Sequence, residues 1–175
     1  MALYQPLTFL DLVVYHRDHV KINRIKEIKC LQPFQSLMID IKKSAIAMFI
    51  TEIINKTVRE ESHSQEMFDF IFRAITTLDA LRRDYESYHL IFLVKLSRLL
   101  GFGVSSVNEV IGGRATNEET ERLLPHLING DYTVSIDMTN GQRRILLELL
   151  LGFYTDHIEN LGEIRSVKVL QEVMN

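Results

Sequence analysis

One segment limits the fold more than any other: "DYESYHLIFLVKLSRLLGF", residues 84–102. Its middle, from Leu90 to Leu100, is apolar apart from Lys95, Ser97 and Arg98. That stretch is too short to cross a bilayer, which takes about twenty apolar residues, and too apolar to lie on a surface. A helix that is apolar almost all round must be enclosed by other elements. The segment therefore reads as the central helix of a bundle, with Asp84 as its N-cap and Gly101 as the left-handed residue that ends it.

Helices able to enclose it flank it on both sides. "DIKKSAIAMFITEIINKTVRE" (40–60) places Ile41, Ala45, Ile46, Phe49, Ile50, Ile53, Ile54 and Val58 three and four residues apart, the stripe of a buried helix. "EMFDFIFRAITTLDAL" (66–81) follows with Met67, Phe68, Ile71, Phe72, Ile75 and Leu78 turned inward, and Ser62 and Gln65 stand before it at capping-box spacing. Between residues 103 and 140 the character changes. Gly112 and Gly113, a helix signal at "TNEETERLL" with Thr116 and Glu119 as a capping box, Pro125 and the alternating "YTVSIDM" read as an elaborated connection. Periodicity returns in "NGQRRILLELLLGFYTDHI", Gly162 breaks it, and "SVKVLQEVM" forms a last short helix.

The amino end reads differently. In "YQPLTFLDLVVYH" the stretch Leu7–Tyr15 alternates as a strand, with Leu7, Phe9, Val13 and Tyr15 on one face and Leu10, Leu12 and Val14 on the other. Both faces are apolar and need cover. "KINRIKEIKC" carries Ile22, Ile25 and Ile28 at every third position, which fits a bulged strand returning antiparallel. Two such strands pair with each other and leave an open edge, which a second copy would cover as a homodimer. The fold class is thus mostly α, a helical bundle preceded by two strands, divided at residues 1–33 and 34–175.

Bulk numbers exclude several classes. At 175 residues the chain holds one main core, and 46% hydrophobic with 25% charged residues is the ordinary balance of a soluble, cytoplasmic protein. The single Cys30 makes neither an internal disulfide nor a cysteine zinc site within one chain. Net charge is −3, yet from His16 to Lys43 seven cations (Arg17, Lys21, Arg24, Lys26, Lys29, Lys42, Lys43) face Asp18, Glu27 and Asp40. Two readings of that basic stretch stand: an edge strand guarded by lysines, or a surface that contacts phosphates. With Tyr15 and Phe34 nearby, it has the ingredients of a single-strand groove, in which bases stack and phosphates are tracked.

Catalytic signatures are sparse. "IGGRAT" has neither the spacing of a phosphate loop nor its Lys-Ser/Thr, and the six histidines form no HxxxH or HxH. His16 and His19 in "HRDH" stand three apart, either a weak metal pair or a solvated turn, and His89 reads as a core histidine. Lys95 and Arg98 interrupt the apolar helix on one side. Either they snorkel to the surface, or they rim a hydrophobic pocket for an acidic peptide. An enzyme is disfavoured, although carboxylates assembled only by the fold would escape a reading of this kind.

The order of "LYQPLTFLDLVVYH", "INRIKEI", "FDFIF", "YHLIFLVKLSRLLGF" and "FYTDHIENLGEIRSVKVLQEV" resembles the RecO recombination mediators of Bacteroidetes-like bacteria over essentially the whole chain. The resemblance implies an amino-terminal OB-fold followed by a helical domain, with residues 1–33 matching only the last strands of that barrel. On this reading the first barrel strands are missing and the two strands are a remnant. It also implies a DNA repair role without enzymatic activity: binding of single- and double-stranded DNA and strand annealing. The implied partners are RecR, the acidic tail of the single-strand-binding protein and, indirectly, RecA, with no membrane and a nucleoid-associated location. Many relatives carry a four-cysteine zinc module after the segment matching "KLSRLLGFG"; residues 104–130 here contain no cysteine, so no cofactor is expected. The candidate DNA contacts are Arg17, Lys21, Arg24, Lys26 and Lys29, and the candidate rim of the peptide pocket is Lys95 with Arg98. A helical interaction module without DNA contact is the alternative.

Overall fold

The computed structural model describes residues 5–18, 20, 22–58 and 64–174. Among the described residues two strands, β1 (Leu10–Tyr15) and β2 (Arg24–Cys30), precede eight α-helical segments. These are α1 (Ile41–Thr57), α2 (Gln65–Ala80), α3 (Tyr88–Leu99), α4 (Val107–Ile111), α5 (Glu118–Glu121), α6 (Leu124–Asn129), α7 (Asn140–His157) and α8 (Ser166–Val173). The strands pair only with each other, antiparallel, and both outer edges are open among the described residues. Their register shifts between Val13 and Val14, because Val13 faces Glu27 while Val14 faces Ile25. Lys26 is the extra residue of the expected bulge.

α3 is the central helix. All of its residues from Tyr88 to Val94, with Leu96 and Ser97, are buried, and it packs against α1, α2, α6 and α7. Buried hydroxyls in and beside it donate to backbone carbonyls: Tyr88 Oη to Ala74 O, Ser97 Oγ to Val94 O at 2.8 Å, and Tyr154 Oη of α7 to Leu93 O at 2.7 Å. Gly101 takes the left-handed conformation, φ 88°, and the amides of Gly101 and Phe102 bond back to Arg98 O and Ser97 O. That closure satisfies two carbonyls at the helix end and is why a glycine stands there.

Several helix starts differ from the expected caps. Asp84 lies in a turn with φ 61°, and α3 begins only at Tyr88. Tyr85 is buried and its hydroxyl bonds Asp40, which holds residues 84–87 in a turn against α1 rather than in the helix. Ser64, not Ser62, caps α2 by accepting from Met67 N, and Ser62 lies outside the described residues. Asn117, not Thr116, caps α5. The alternation in residues 132–138 forms no strand, since no neighbouring strand offers those residues a ladder. A full capping box occurs at Thr139 and Gln142, where each side chain bonds the other's backbone amide; the T-x-x-Q spacing could have found it.

Close approach decides one glycine. A Cβ on Gly152 of α7 would lie 2.3 Å from Arg114 Nε and 2.9 Å from its Cζ. Arg114 crosses here to pair with Asp156 and to reach the Val110 and Ile111 carbonyls. Gly152→Ala is expected to push the guanidinium aside and loosen its pair with Asp156, and because the arginine is flexible and alanine is favoured over glycine in a helix by about 1 kcal/mol, the net loss of stability should stay below about 1 kcal/mol. Urea unfolding checks it. Arg114→Ala in the same background should show strong non-additivity, because the clash then has no partner.

Candidate nucleic-acid interface

The hairpin's register sorts its residues by face. Opposed residues share a side, so Leu10/Cys30, Leu12/Ile28 and Val14/Ile25 make one wholly apolar face, and Asp11/Lys29, Val13/Glu27 and Tyr15/Arg24 make the other. Arg17 sits beyond the end of β1, where its amide donates to Asn23 Oδ1 at 3.2 Å. Arg17, Arg24, Lys26 and Lys29 are all exposed, and Tyr15 is half exposed beside Arg24. The fifth candidate, Lys21, lies outside the described residues. Of these cations Lys26 has an acid within ion-pair distance, Glu27 at 3.8 Å, with both side chains about half exposed, and Lys29 stands opposite Asp11. A pair of that kind is worth little, so it leaves the lysine available to a phosphate.

Two lysines of the basic stretch are used differently. Lys42 pairs with Glu86 at 3.4 Å. Lys43 is buried rather than part of a charged surface: its Nζ donates to Ser36 Oγ, Asp79 O and Leu81 O. Asp79, also buried, accepts from the amides of Gln35, Ser36 and Leu37 at 2.9, 2.8 and 2.7 Å. The segment after β2 is thereby tied to the carboxyl end of α2. Phe9 completes the attachment, with its ring edge-on to Phe34, Phe68 and Phe72. Phe68, expected inward, is instead 44% exposed because it faces the hairpin rather than α3.

This clamp was missed in the sequence although a signal exists. Asp79 stands in the last turn of α2 and Lys43 in the first turn of α1. Each charge opposes the helix macrodipole at that end, which marks residues placed for a tertiary partner. Burial, the largest influence, pushes the Asp79 carboxyl up, but the bonds from Gln35, Ser36 and Leu37 together outweigh it and hold the group below its ordinary value.

Lys95 and Arg98 sit one turn apart on α3 and both reach toward the end of α6. Lys95 Nζ lies 3.3 Å from Asp131 and 5.3 Å from the centre of the Tyr132 ring, while Arg98 Nη2 donates to Ile128 O. Tyr132 stacks on the buried Tyr88 at 4.4 Å. Lys95 lines a groove of about 710 Å³ with Phe70, Leu99 and Tyr132 as its apolar part and Glu66, Asp69, Asp131 and Arg73 as its other charged groups; Arg98 does not line it. A more apolar groove of about 480 Å³ runs along α1 between Leu7, Leu37, Met38, Ala47 and Met48. Neither Lys95 nor Arg98 lines it.

His16 lies 3.3 Å from Asp18 on the surface, and His19 is outside the described residues. Among the described residues no three His, Cys, Asp or Glu side chains gather as metal ligands, and no helix is long and apolar enough to cross a membrane.

Comparison with known proteins gives the architecture a family. The model of the family described as "Recombination protein O C terminal" matches residues 38–121. A DNA repair protein RecO of Flavobacterium johnsoniae is 30% identical over an alignment of 190 positions that takes in 100% of this chain and 80% of the relative. The chain belongs to the RecO family. RecO proteins of Bacteroides fragilis and Porphyromonas gingivalis are 27% and 23% identical, each over 99% of this chain and 80% and 79% of their own length. The matched RecO segment contains the Lys43–Asp79 clamp and all of α3, whereas the hairpin lies before it and is covered by the whole-length relatives.

Proposed function

We propose that this RecO-family chain acts in DNA repair and homologous recombination as a non-catalytic mediator in the cytoplasm, associated with the nucleoid. It binds single- and double-stranded DNA, anneals strands and helps place RecA on DNA coated by the single-strand-binding protein, together with RecR. What supports the DNA part is the hairpin face on which exposed Tyr15 stands directly opposite Arg24, with Lys29 two pairs away and Arg17 and Lys26 at the end and the bulge. An aromatic ring for a base beside cations for phosphates is the combination that single-strand binding requires. For the acidic tail of the single-strand-binding protein we infer the groove of Phe70, Leu99 and Tyr132, with Lys95 exchanging Asp131 for the peptide's carboxylate and Arg98 one turn away. The open hairpin edges suit a homodimer.

The test is binding of a fluorescent single-stranded oligonucleotide at several salt concentrations. Five phosphate contacts give a slope of log affinity against log salt near −3.5, or about a hundredfold loss between 50 and 200 mM. Absence of binding at low salt, or binding indifferent to salt, overturns the DNA reading in favour of a helical module that contacts proteins alone.

A further inference from the structure

Residues 130–138 run from the end of α6 to the cap of α7 without regular structure. Among the described residues no hydrogen bond from a helix reaches the backbone of residues 130–137; Tyr132 N donates to Asp131 Oδ1 at 2.8 Å and Val134 N to Asp131 O at 3.0 Å, both within the segment. Side chains attach it to the bundle, and two adjacent ones face α3. Asp131 lies 3.3 Å from Lys95 Nζ, and the Tyr132 ring is laid on Tyr88, 13° from parallel with centres 4.4 Å apart and Lys95 Nζ over it.

Tyr132 is seated at a cost. Its hydroxyl is buried and has no hydrogen-bond partner, whereas Tyr88 Oη donates to Ala74 O and Tyr154 Oη to Leu93 O. A hydroxyl taken out of water and left unpaired destabilises the arrangement that buries it. A phenylalanine ring would fill the same place without that cost.

We infer that Asp131–Tyr132 is a built-in plug standing in for a partner's side chains: the groove takes an acidic residue followed by an aromatic one from another protein, whose carboxylate replaces Asp131 on Lys95 and whose ring replaces Tyr132 on Tyr88. This rests on the peptide-groove reading above and adds what closes the groove and what opens it. The segment leaves without breaking a backbone bond to any described helix, and its hydroxyl returns to water. Phe70 and Leu99 remain as walls. Glu66 and Asp69, which also line the groove, repel further negative charge, so a single carboxylate beside the ring is the fit.

The probe is a rhodamine-labelled peptide, Gly-Ser-Gly-Ser-Asp-Phe, amidated so that the aspartate is its one carboxylate, with a control ending in Asp-Ala. It is titrated against the full chain by fluorescence anisotropy, and melting is followed in parallel. Tyr132→Phe should melt higher than the parent yet bind the probe about tenfold more weakly, because the closed plug no longer buries an unpaired hydroxyl and is the more populated. Tyr132→Ala should bind it at least about tenfold more tightly than the parent. Its melting should rise with the Asp-Phe peptide and not with the control, which brings no ring to the slot. If Tyr132→Ala does not fold, Tyr132→Phe decides. Asp131→Asn, which leaves the ring in place and weakens the hold on Lys95, tests the groove itself and should tighten binding a few-fold. Probe binding that Tyr132→Phe leaves unchanged, or a Tyr132→Phe protein that melts lower, overturns the plug alone. No binding by the parent or any variant overturns the groove reading and the plug with it.

Discussion

Asp79→Ala is expected to lower the stability of the chain by about 3–5 kcal/mol, the range for removing one member of a buried charged cluster. The carboxylate receives three successive backbone amides and lies 8% exposed beside the equally buried Lys43. Alanine would leave those amides without acceptors and take from the buried Lys43 the larger of its two acidic influences, leaving Asp40. Urea unfolding measures the loss. A change below about 1 kcal/mol, the scale of one ordinary hydrogen bond, would show that water replaces the carboxylate and that the tie to the hairpin is weak.

The same group predicts an acid limb. Asp79, Asp40 and Glu52 are all held below their ordinary values: burial raises each of them, but their hydrogen bonds, to Tyr85 and the α1 amides for Asp40 and to Ser166 and Arg165 for Glu52, prevail. A carboxyl whose folded value is depressed stabilises the fold above its unfolded value and loses that contribution as pH falls through the folded one. Stability should therefore begin to fall below about pH 6.5, where burial keeps His89, held down to about 3, neutral in the fold while the unfolded chain protonates it, and should fall further below about pH 4, where free carboxylates titrate. In Asp79→Ala the part of the fall below about pH 4 should be shallower, since one of the carboxylate contributions is already gone.

Combined replacement of Arg17, Arg24, Lys26 and Lys29 by alanine carries the second large effect, on DNA binding instead of stability. All four side chains are exposed, so the unfolding midpoint should hardly move. The salt slope on single-stranded DNA should drop from about −3.5 to about −0.7, the value for one remaining contact from Lys21. Affinity would then change only about threefold between 50 and 200 mM salt, against about a hundredfold in the parent. Tyr15→Ala separates the two kinds of contact: it should weaken binding by about 1–3 kcal/mol for one lost base stack while leaving the slope as it was. A quadruple variant that keeps the parental slope would move the DNA surface to the helices.

Sequence by itself determined the elements that a single periodicity describes. The near-continuous apolar run from Leu90 to Leu100 had to be enclosed, and α3 is the buried centre of the bundle. The three-residue spacing of isoleucines matched neither a regular strand nor a helix, and β2 is a strand with one bulge at Lys26. Gly101 ends α3 in the left-handed form, since only glycine adopts it without cost from a Cβ. Even the division of the hairpin into faces follows from alternation once the bulge is placed.

Tertiary structure decided the rest, because partners far apart in the chain have no periodicity to betray them. Asp79 meets Ser36 and Lys43 across more than 35 positions, so whether Lys43 was a surface charge or a buried anchor depended on where α2 ends in space. Asp84 did not become an N-cap because Tyr85 is drawn to Asp40, a local preference overruled by a contact 45 residues away. Lys95 and Arg98 were adjacent on a helix in either reading; their engagement with Asp131 and Ile128 O required α6 to lie alongside. The surroundings of His89 are of the same kind. The burial of its ring was legible in the apolar run, but the small cavity that it lines exists only where α7 and α8 converge on α3.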